Sequence, residues 1–242
     1  MPLEQSEAIV LRNFNVGEQD KIVVFFSRDK GVLRGIAKGA RKFGNRFGSS
    51  LEPMSVVKIF YYEKERKELV TVRNCDLLDS FFEIQKEPRI AFILSYFAEI
   101  IEEFLPLRAK EDILFRLLHS TLKALRKGGD ASFLTRYFEA WFLKINGVLP
   151  SLKRCKKCKK EISKGGWLSP KRDGAYCESC AESKKEEINP AMGRFLDWTF
   201  KNPPSGERSV PFLEEELEGI RKILQSILIY HLEREPKTLH YL

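Results

Sequence analysis

Hydrophobic and polar residues follow a short, strand-like period over the first third of the chain. Five segments rich in Val, Ile, Phe and Tyr are separated by groups that contain Gly or Pro. The pattern predicts strands at 7–13, 20–28, 31–39, 52–63 and 68–79. Strands this short and closely spaced indicate a small barrel or sandwich. The OB-fold, a five-stranded barrel that commonly binds single strands and oligonucleotides, has this size.

The hydrophobic period lengthens after Pro88. Apolar residues now recur at three- and four-residue spacing, which is typical of amphipathic helices. The pattern predicts helices at 89–105, 111–127, 131–147, 192–200 and 212–234. The intervening segment 151–187 is polar, rich in lysine and almost devoid of aliphatic residues, so it needs another source of folding energy than a hydrophobic core.

The pattern as a whole predicts a multi-domain α+β protein. We expect an N-terminal five-stranded OB-fold β-barrel over residues 1–82, followed by an α-helical domain over residues 83–150 and 188–242. The polar segment 151–187 is predicted to form a small module inserted in the helical domain.

Four of the five cysteines form two pairs inside the polar segment, CKKC at 155–158 and CESC at 177–180. Two such turns at this separation can place four thiolates around one tetrahedral Zn2+. We predict that Cys155, Cys158, Cys177 and Cys180 bind a structural Zn2+, whose binding supplies the folding energy of the module. Iron in the same cage, a pair of disulfides and a redox site are the alternatives.

The overall charge favours a polyanionic partner. The formal charge is +8 and the pI is about 9.2, as in many proteins that bind nucleic acid. No apolar run approaches the ~18 residues of a membrane span, so we expect no membrane partner. Acidic residues occupy the first segment, MPLEQSE, where a secretory signal needs basic ones, so we expect a cytoplasmic protein.

The basic stretch 35–49, GIAKGARKFGNRFGS, joins the third and fourth predicted strands. It interleaves cations with glycines and two phenylalanines and contains no acid. We expect its cations to follow a phosphate backbone, its Phe rings to stack on bases and its glycines to let it adapt to an irregular single strand. The predicted nucleic-acid contacts are Arg28, Lys30, Arg34, Lys38, Arg41, Lys42, Phe43, Arg46 and Phe47. The alternative is a mobile hairpin with one Phe tucked into the barrel.

Sequence motifs for catalysis are missing. Gly39 to Gly44 imitates the start of a phosphate-binding loop, but Asn45 and Arg46 follow where that loop requires Lys and then Ser or Thr. The sequence has no HExxH motif and no acidic cluster typical of a two-metal nuclease. We therefore expect no enzymatic activity and no nucleotide ligand.

Two parts of the chain resemble the RecO family of DNA-repair and recombination mediators. The first is EAIVLRNFNVGEQDKIVVFFSRDKGVLRGIAKGARK, which carries the family's acid–apolar first strand, its Gly-Glu-x-Asp turn and the phrase G-x-x-x-G-x-A-x-G-A-R. The second is LPSLKRCKKC together with GAYCESC. The named positions of the motif G-x-x-x-G-x-A-x-G-A-R are occupied here by Gly31, Gly35, Ala37, Gly39, Ala40 and Arg41.

The resemblance implies an OB-fold, a helical domain and a four-cysteine zinc module. It also implies a recombination mediator of the RecF-type pathway that binds single- and double-stranded DNA on the basic surface of the barrel and anneals complementary strands. Together with RecR, such a protein helps to load RecA onto DNA coated by single-strand-binding protein (SSB). It would act in the cytoplasm, in association with the nucleoid.

The resemblance further implies a site on the helical domain for the acidic, Phe-ended C-terminal tail of SSB. Such a site needs a cation beside an apolar groove. In the segment TRYFEAWFLK, Arg136 and Lys144 lie about two helical turns apart among aromatic residues, and we predict them as contacts of the SSB tail. The alternative is an aromatic stripe that faces the core, with two surface charges.

A second class of function also fits part of the pattern. An RNA-binding or ribosome-associated zinc protein would be equally basic, barrel-based and cysteine-bearing. It would prefer structured RNA through contacts with the 2′-hydroxyl groups. A DNA mediator would instead bind single strands without regard to sequence and with a steep dependence on salt.

Overall fold

The computed structural model describes residues 2–63, 68–204, 206 and 211–241 of the 242-residue chain. The chain forms two compact units, one of Met1–His119 with Pro236–Leu242 and the other of Ser120–Glu235. Within the described ranges, no helix combines the length and the apolar character that a membrane crossing requires. The domain boundaries at residues 82, 150 and 187 stay predictions.

The first unit begins with a closed five-stranded barrel, which confirms the predicted fold. Its strands are β1 (Leu3–Val16), β2 (Asp20–Ser27), β3 (Gly31–Ala37), β4 (Val56–Tyr62) and β5 (Leu69–Asp79). The order around the barrel is β1-β2-β3-β5-β4; β3 and β5 run parallel, and the other neighbours are antiparallel. A small five-stranded barrel of this kind is the OB-fold architecture.

Alternating side chains of the strands fill the interior of the barrel. Val23 and Phe25 of β2 and Ile59 and Tyr61 of β4 are fully buried there, with the rings of Phe25 and Tyr61 centred 5.9 Å apart. Cys75 lies in the same core, where burial raises the pKa of its thiol to about 11. This cysteine therefore serves packing, since a thiol with so high a pKa carries almost no reactive thiolate at neutral pH.

Two glycines of β3 allow close approaches that no other residue permits. Gly31 has a φ of +65°, and a Cβ at this position would lie 2.0 Å from the carbonyl oxygen of Ala109. A Cβ at Gly35 would lie 2.7 Å from a methyl group of Val72 and 2.9 Å from one of Val70. Both glycines of the Gly-x-x-x-Gly spacing in this strand are thus required by close contacts, one with backbone and one with side chains of β5.

Helices and three short strands form the remainder of the chain. The helices are α1 (Pro88–Phe104), α2 (Asp112–Arg126), α3 (Ala131–Ile145), α4 (Ala191–Lys201) and α5 (Glu214–Leu232), and 3-10 helices occupy Glu83–Lys86 and Lys237–Tyr241. The polar segment holds β6 (Gly166–Leu168), β7 (Ala175–Tyr176) and β8 (Glu187–Ile188), in the order β7-β6-β8. Each predicted helix is present, with ends that differ from the prediction by a few residues.

Glu99 of α1 fixes the C-terminal 3-10 helix to the first unit. Its carboxylate accepts hydrogen bonds from the backbone N–H groups of Lys237 and Thr238, both at 2.9 Å, and from the Thr238 hydroxyl. Burial raises the pKa of Glu99, but the bonds from Thr238 and Lys237 outweigh this effect, and the pKa lies below its ordinary value. The charged form is therefore the one that holds the chain terminus in place.

Aromatic rings form the centre of the second unit. The ring of Phe133 in α3 lies 5.9 Å from that of Phe195, 5.0 Å from that of Trp198 and 6.0 Å from that of Phe212. In this unit α3 packs against both α4 and α5. The amphipathic pattern of α3 is thus explained by aromatic packing against α4 and against the segment that precedes α5.

Gly31 and Gly44 have similar φ angles but different surroundings, so alanine substitutions at the two positions distinguish backbone strain from a steric clash. Gly44 has a φ of +64°, and no atom lies within 4 Å of the position that an added methyl group would occupy, whereas Gly31 faces the Ala109 carbonyl. We expect Gly44→Ala to cost about 1–2 kcal/mol, because alanine disfavours a left-handed backbone. Gly31→Ala should cost roughly 1–3 kcal/mol more, because the added methyl overpacks against backbone.

Amide hydrogen exchange of peptides from β1 to β5 would measure this difference directly, because it reports the local free energy of opening. Equal protection of the barrel amides in Gly31→Ala and Gly44→Ala would show that the contact with Ala109 does not constrain the fold.

Candidate metal centre and nucleic-acid interface

The four paired cysteines converge on one point in the second unit. The sulfur atoms of Cys155, Cys158, Cys177 and Cys180 all lie within 4.8 Å of one another. The separation between the sulfurs of Cys158 and Cys177 is 3.7 Å. A tetrahedral ion with Zn–S bonds of about 2.3 Å has sulfurs about 3.8 Å apart. The cluster therefore fits a four-coordinate metal ion of the structural kind.

Backbone hydrogen bonds fold each cysteine pair into a tight turn. The N–H of Lys159 donates to the carbonyl of Cys155 at 2.9 Å, and Lys159 itself has a φ of +63°. The N–H of Cys180 donates to the carbonyl of Cys177 at 3.0 Å. A bridge between Cys155 and Ala175 brings the first turn beside the strand that leads into the second. The small sheet thus sets the distance between the two pairs.

The thiols of the cluster differ widely in pKa because they share one small volume. Burial raises the pKa of Cys155, but hydrogen bonds from backbone N–H groups, first that of Cys158, outweigh it and bring the pKa to about 6. The pKa of Cys180 rises to about 12, mainly through its contact with Cys177. Four thiolates can coexist here only with a compensating positive charge, which a divalent metal ion would supply.

Lysines beside the first cysteine pair have acidic partners. Lys156 contacts Asp173 at 2.5 Å, and Lys157 contacts Glu182 at 3.8 Å. Lys153 also contacts an aspartate. These pairs lower the positive charge that this part of the module presents to solvent.

The basic stretch forms most of an arm, residues 38–55, that connects β3 to β4. The root of the arm is bonded to the turn between β1 and β2. The N–H of Gly39 donates to the carboxylate of Asp20 at 2.8 Å, and the N–H of Arg41 donates to the carbonyl of Gln19 at 2.9 Å. The guanidinium of Arg41 donates to the carbonyl of Gly17 at 2.7 Å. The start of the arm and the β1–β2 turn are therefore fixed to each other by hydrogen bonds.

The arm is a series of hydrogen-bonded turns, whereas its glycines had suggested an adaptable segment. The side-chain oxygen of Asn45 accepts hydrogen bonds from the N–H groups of Phe47 at 2.9 Å and Gly48 at 3.2 Å. Gly39, Gly44 and Gly48 have φ angles of +72°, +64° and +53°. These glycines serve turns that need a left-handed backbone, so their presence does not indicate freedom of movement.

The two Phe rings of the arm have opposite surroundings. Phe43 is fully exposed, whereas Phe47 is 3% exposed and belongs to the core of the barrel. The guanidinium carbon of Arg46 lies 4.5 Å from the centroid of the Phe47 ring. A buried ring has no free face for a base, so the structure corrects the predicted stacking by Phe47. Stacking by Phe43 stays a prediction.

Three predicted cations outside the arm are held by carboxylates. Their ion pairs are Arg28–Glu7, Arg28–Asp112, Lys30–Glu4, Lys30–Glu63 and Arg34–Glu102, with N–O distances from 2.6 to 3.4 Å. A phosphate would have to compete with these acids for Arg28, Lys30 and Arg34. The three residues stay predictions, and they are weaker candidates than the cations of the arm.

The four cations of the arm lack such partners. Lys38, Arg41, Lys42 and Arg46 are exposed, and in the part of the chain that the structure describes none of them pairs with a carboxylate. Arg46 donates through Nε to the carbonyl of Arg73 at 2.6 Å. The arm therefore concentrates uncompensated positive charge on a short, anchored segment, which is the electrostatic footprint expected of a polyanion site.

Comparison with known proteins matches this architecture to one family over nearly the whole chain. The family model described as "Recombination protein O N terminal" matches residues 1–81, and "Recombination protein O C terminal" matches residues 86–240. DNA repair protein RecO of Koribacter versatilis is 34% identical over 98% of this chain and 96% of its own length. DNA repair protein RecO of Pelotomaculum thermopropionicum is 31% identical over 100% of this chain and 94% of its own length.

The chain belongs to the RecO family. The phrase by which the sequence resembles that family now has a physical explanation. Gly31 and Gly35 allow close packing of β3, Gly39 offers its N–H to Asp20, and Arg41 ties the arm to the β1–β2 turn. In this RecO-family chain, Arg41 is thus a structural residue of the arm as well as a predicted DNA contact.

The two predicted contacts of an SSB tail have different surroundings. Arg136 is 5% exposed and pairs with Glu139 at 3.1 Å, on the buried face of α3. The structure therefore corrects its assignment, because a buried and paired guanidinium is not available to a peptide. Lys144 is exposed, with its ammonium 3.7 Å from the ring centroid of Phe200 and 4.8 Å from that of Trp141. As a tail contact, Lys144 stays a prediction.

Arg73 of β5 lies beside the arm and was not among the cations predicted from the sequence. The pairing of β5 with β4 shifts register between Phe60 and Tyr61, and Arg73 is the extra residue of this β-bulge. Its carbonyl accepts from Arg46, and its guanidinium donates to the hydroxyl of Tyr62 at 2.7 Å. The alternating pattern of β4 could have placed Tyr62 on the outer face, but no sequence signal marks the bulge.

Replacing one ligand of the cluster should remove the metal and unfold the module alone. In Cys177→Ser we expect the bound metal to fall from about one ion per chain to a small fraction, because a hydroxyl is a much poorer ligand than a thiolate. Amides of 151–187 should then exchange rapidly, while barrel amides stay protected. Elemental analysis and hydrogen exchange measure the two effects, and the metal content of the starting protein distinguishes zinc from iron.

Cys75→Ala is the matched control, since Cys75 lies in the barrel core and outside the cluster. It should keep its metal. A full complement of metal in Cys177→Ser would contradict the four-thiolate site.

Proposed function

We propose that this RecO-family protein is a DNA-binding recombination mediator that acts in DNA repair. The observation that carries the proposal is the arm, whose four exposed cations have no described carboxylate partner and whose root is fixed to a five-stranded barrel. A phosphate backbone is the ligand that such a segment recognises, because each contact releases counterions and none depends on base sequence. Binding of this kind serves single- and double-stranded DNA.

The proposed activity is the annealing of complementary strands and, together with RecR, the loading of RecA onto SSB-coated DNA in a RecF-type pathway. A cationic surface lowers the repulsion between two phosphate backbones, so complementary strands can meet without a source of chemical energy. The free energy then comes from binding and base pairing. The protein would act in the cytoplasm on nucleoid DNA. Relatives that match nearly the full chain are named DNA repair proteins, which supports this role.

The proposed cofactor is a structural Zn2+ held by the four-cysteine cluster. Four thiolates suit zinc because Zn2+ binds sulfur ligands well, prefers tetrahedral coordination and has no redox chemistry. In the module, the ion would join the two cysteine turns and take over the role of a hydrophobic core. Its contribution to function is then indirect, through the fold of residues 151–187.

The proposed SSB contact is centred on Lys144. Its ammonium lies against the rings of Trp141 and Phe200, so a positive charge and aromatic surface occur side by side. That combination suits an acidic peptide with an aromatic end, which needs one charged and one apolar contact. Arg136 takes no part in this proposal.

The charge of the arm should determine the salt dependence of DNA binding. We expect Lys38→Ala with Lys42→Ala to weaken binding to strands of every sequence and to lower the slope of log K against log salt. Each lost contact with a single-stranded phosphate accounts for about 0.7 of that slope. Titrations of a labelled oligonucleotide at several salt concentrations provide the measurement. The pair avoids Arg41, whose removal would also loosen the arm.

Lys123→Ala with Lys222→Ala is the matched control, because these exposed lysines lie on α2 and α5 and the change in net charge is the same. It should leave the slope almost unchanged. Equal slopes for the two double variants would place the DNA away from the arm.

Strand annealing tests the proposed function as a whole. Two complementary fluorescent strands, each coated with SSB, should form duplex faster when this protein is added without ATP. Absence of acceleration together with tight binding of bare strands would contradict the mediator role. Stronger binding of structured RNA than of single-stranded DNA would favour the RNA-binding alternative.

A further inference from the structure

The outer face of β4 carries a row of large side chains that Arg73 links to Arg46 of the arm. Lys58, Phe60 and Tyr62 alternate with the buried residues Ile59 and Tyr61, so they point away from the barrel core. Phe60 and Tyr62 are half-buried, so part of each side chain stays in contact with solvent. We call Phe60 and Tyr62 the β4 ridge.

The guanidinium of Arg73 lies at the Tyr62 end of the ridge, and Arg46 of the arm is bonded to the backbone of Arg73. The β-bulge of β5 directs Arg73 to the Tyr62 hydroxyl, and the guanidinium carbon is 5.9 Å from the centroid of the ring. Arg46 of the arm contacts the backbone of Arg73, because its Nε donates to the Arg73 carbonyl at 2.6 Å, while its guanidinium lies over the ring of Phe47. The ridge is therefore continuous with the cationic arm.

The opposite end of the ridge has a mixed charge. Lys58 lies across from Glu7 on β1 and from Asp76 on β5, and its ammonium lies 5.4 Å from the centroid of the Phe60 ring. Glu7 is in turn paired with Arg28. Arg73 pairs with no carboxylate of the described residues, so the Tyr62 end is the more favourable place for a phosphate.

We propose that the β4 ridge stacks on unpaired bases of single-stranded DNA while Arg73 and Arg46 hold the adjacent phosphates. The inference rests on the proposed DNA-binding function and adds selectivity for single strands to it. Every base has a flat face that an aromatic ring can cover, but in a duplex both faces are already stacked. The cations of the arm recognise charge alone, so selectivity for unpaired DNA has to come from aromatic contacts such as those of the ridge.

Tyr62→Leu tests the ridge because it removes the ring and keeps an apolar side chain in its place. We expect affinity for an oligo-dT strand to fall by about tenfold, the usual effect of losing one stacked base. The salt slope should stay unchanged, since no charge is lost. Affinity for a fully paired, blunt-ended duplex of two separate strands should change by less than about twofold, because its bases are stacked on one another.

Two further variants serve as controls. Tyr62→Phe removes the bond to Arg73 but keeps the ring, and it should retain most of the affinity for single strands. Phe14→Leu removes another exposed aromatic ring, from β1 and away from the ridge, and should bind like the parent protein. Equal losses for the single strand and the duplex in Tyr62→Leu would overturn the proposal, because they indicate a general defect of the surface.

Photochemical cross-linking of 5-iodouracil DNA to the unaltered protein gives a readout that does not depend on folding of a variant. Adducts on Phe60 or Tyr62 would support the ridge, and adducts confined to Phe43 would overturn it. Normal binding by Lys38→Ala with Lys42→Ala would instead refute the arm as the DNA site. The two failures are therefore distinguishable.

Discussion

The hydrogen bonds between the root of the arm and the β1–β2 turn are the constraint on which the rest of this surface depends. Asp20 accepts from the N–H of Gly39, and Arg41 donates to the carbonyl of Gly17. Near its middle the arm is held by Phe47, which is buried in the barrel, and at its far end the N–H of Met54 donates to the carbonyl of Val10 at 2.7 Å. A segment fixed at both ends loses little conformational entropy when it binds, so its charges contribute more to affinity than those of a free loop.

Local pairing, and not net charge, decides which cations of the barrel face a ligand. The chain is basic throughout, yet Arg28, Lys30 and Arg34 are matched by nearby acids. The cations of the arm have no such partners among the described residues, and the bulge of β5 adds Arg73 beside them. The positive field is therefore concentrated where the arm leaves the barrel, next to the half-buried rings of β4.

The parts of the fold that depend on regular periods could be predicted from the sequence. Alternation indicated the five strands, the longer period indicated the helices, and the cysteine spacing indicated the cluster. Features that depend on a single side chain's neighbours could not be predicted. Phe43 and Phe47 look equivalent in sequence, but only packing against the barrel core shows that one of them is buried.

Dependence on the neighbours of a single residue also explains the other differences between the predicted and the observed candidate sites. Arg136 resembles a surface cation in the sequence, but it lies beside Glu139 on the buried face of α3. The glycines of the arm suggest flexibility, although their φ angles show that they build defined turns. A β-bulge has no reliable sequence signal, and so the contribution of Arg73 emerged only from the pairing of β4 with β5.

Amide hydrogen exchange of the full chain, free and saturated with an oligo-dT strand, would show whether the anchored arm and the adjoining outer face of β4 form the DNA-binding surface. We expect slower exchange on binding in residues 38–55 and in β4, with little change in α3 to α5. Protection confined to the helices of the second unit or to the four-cysteine module would contradict it.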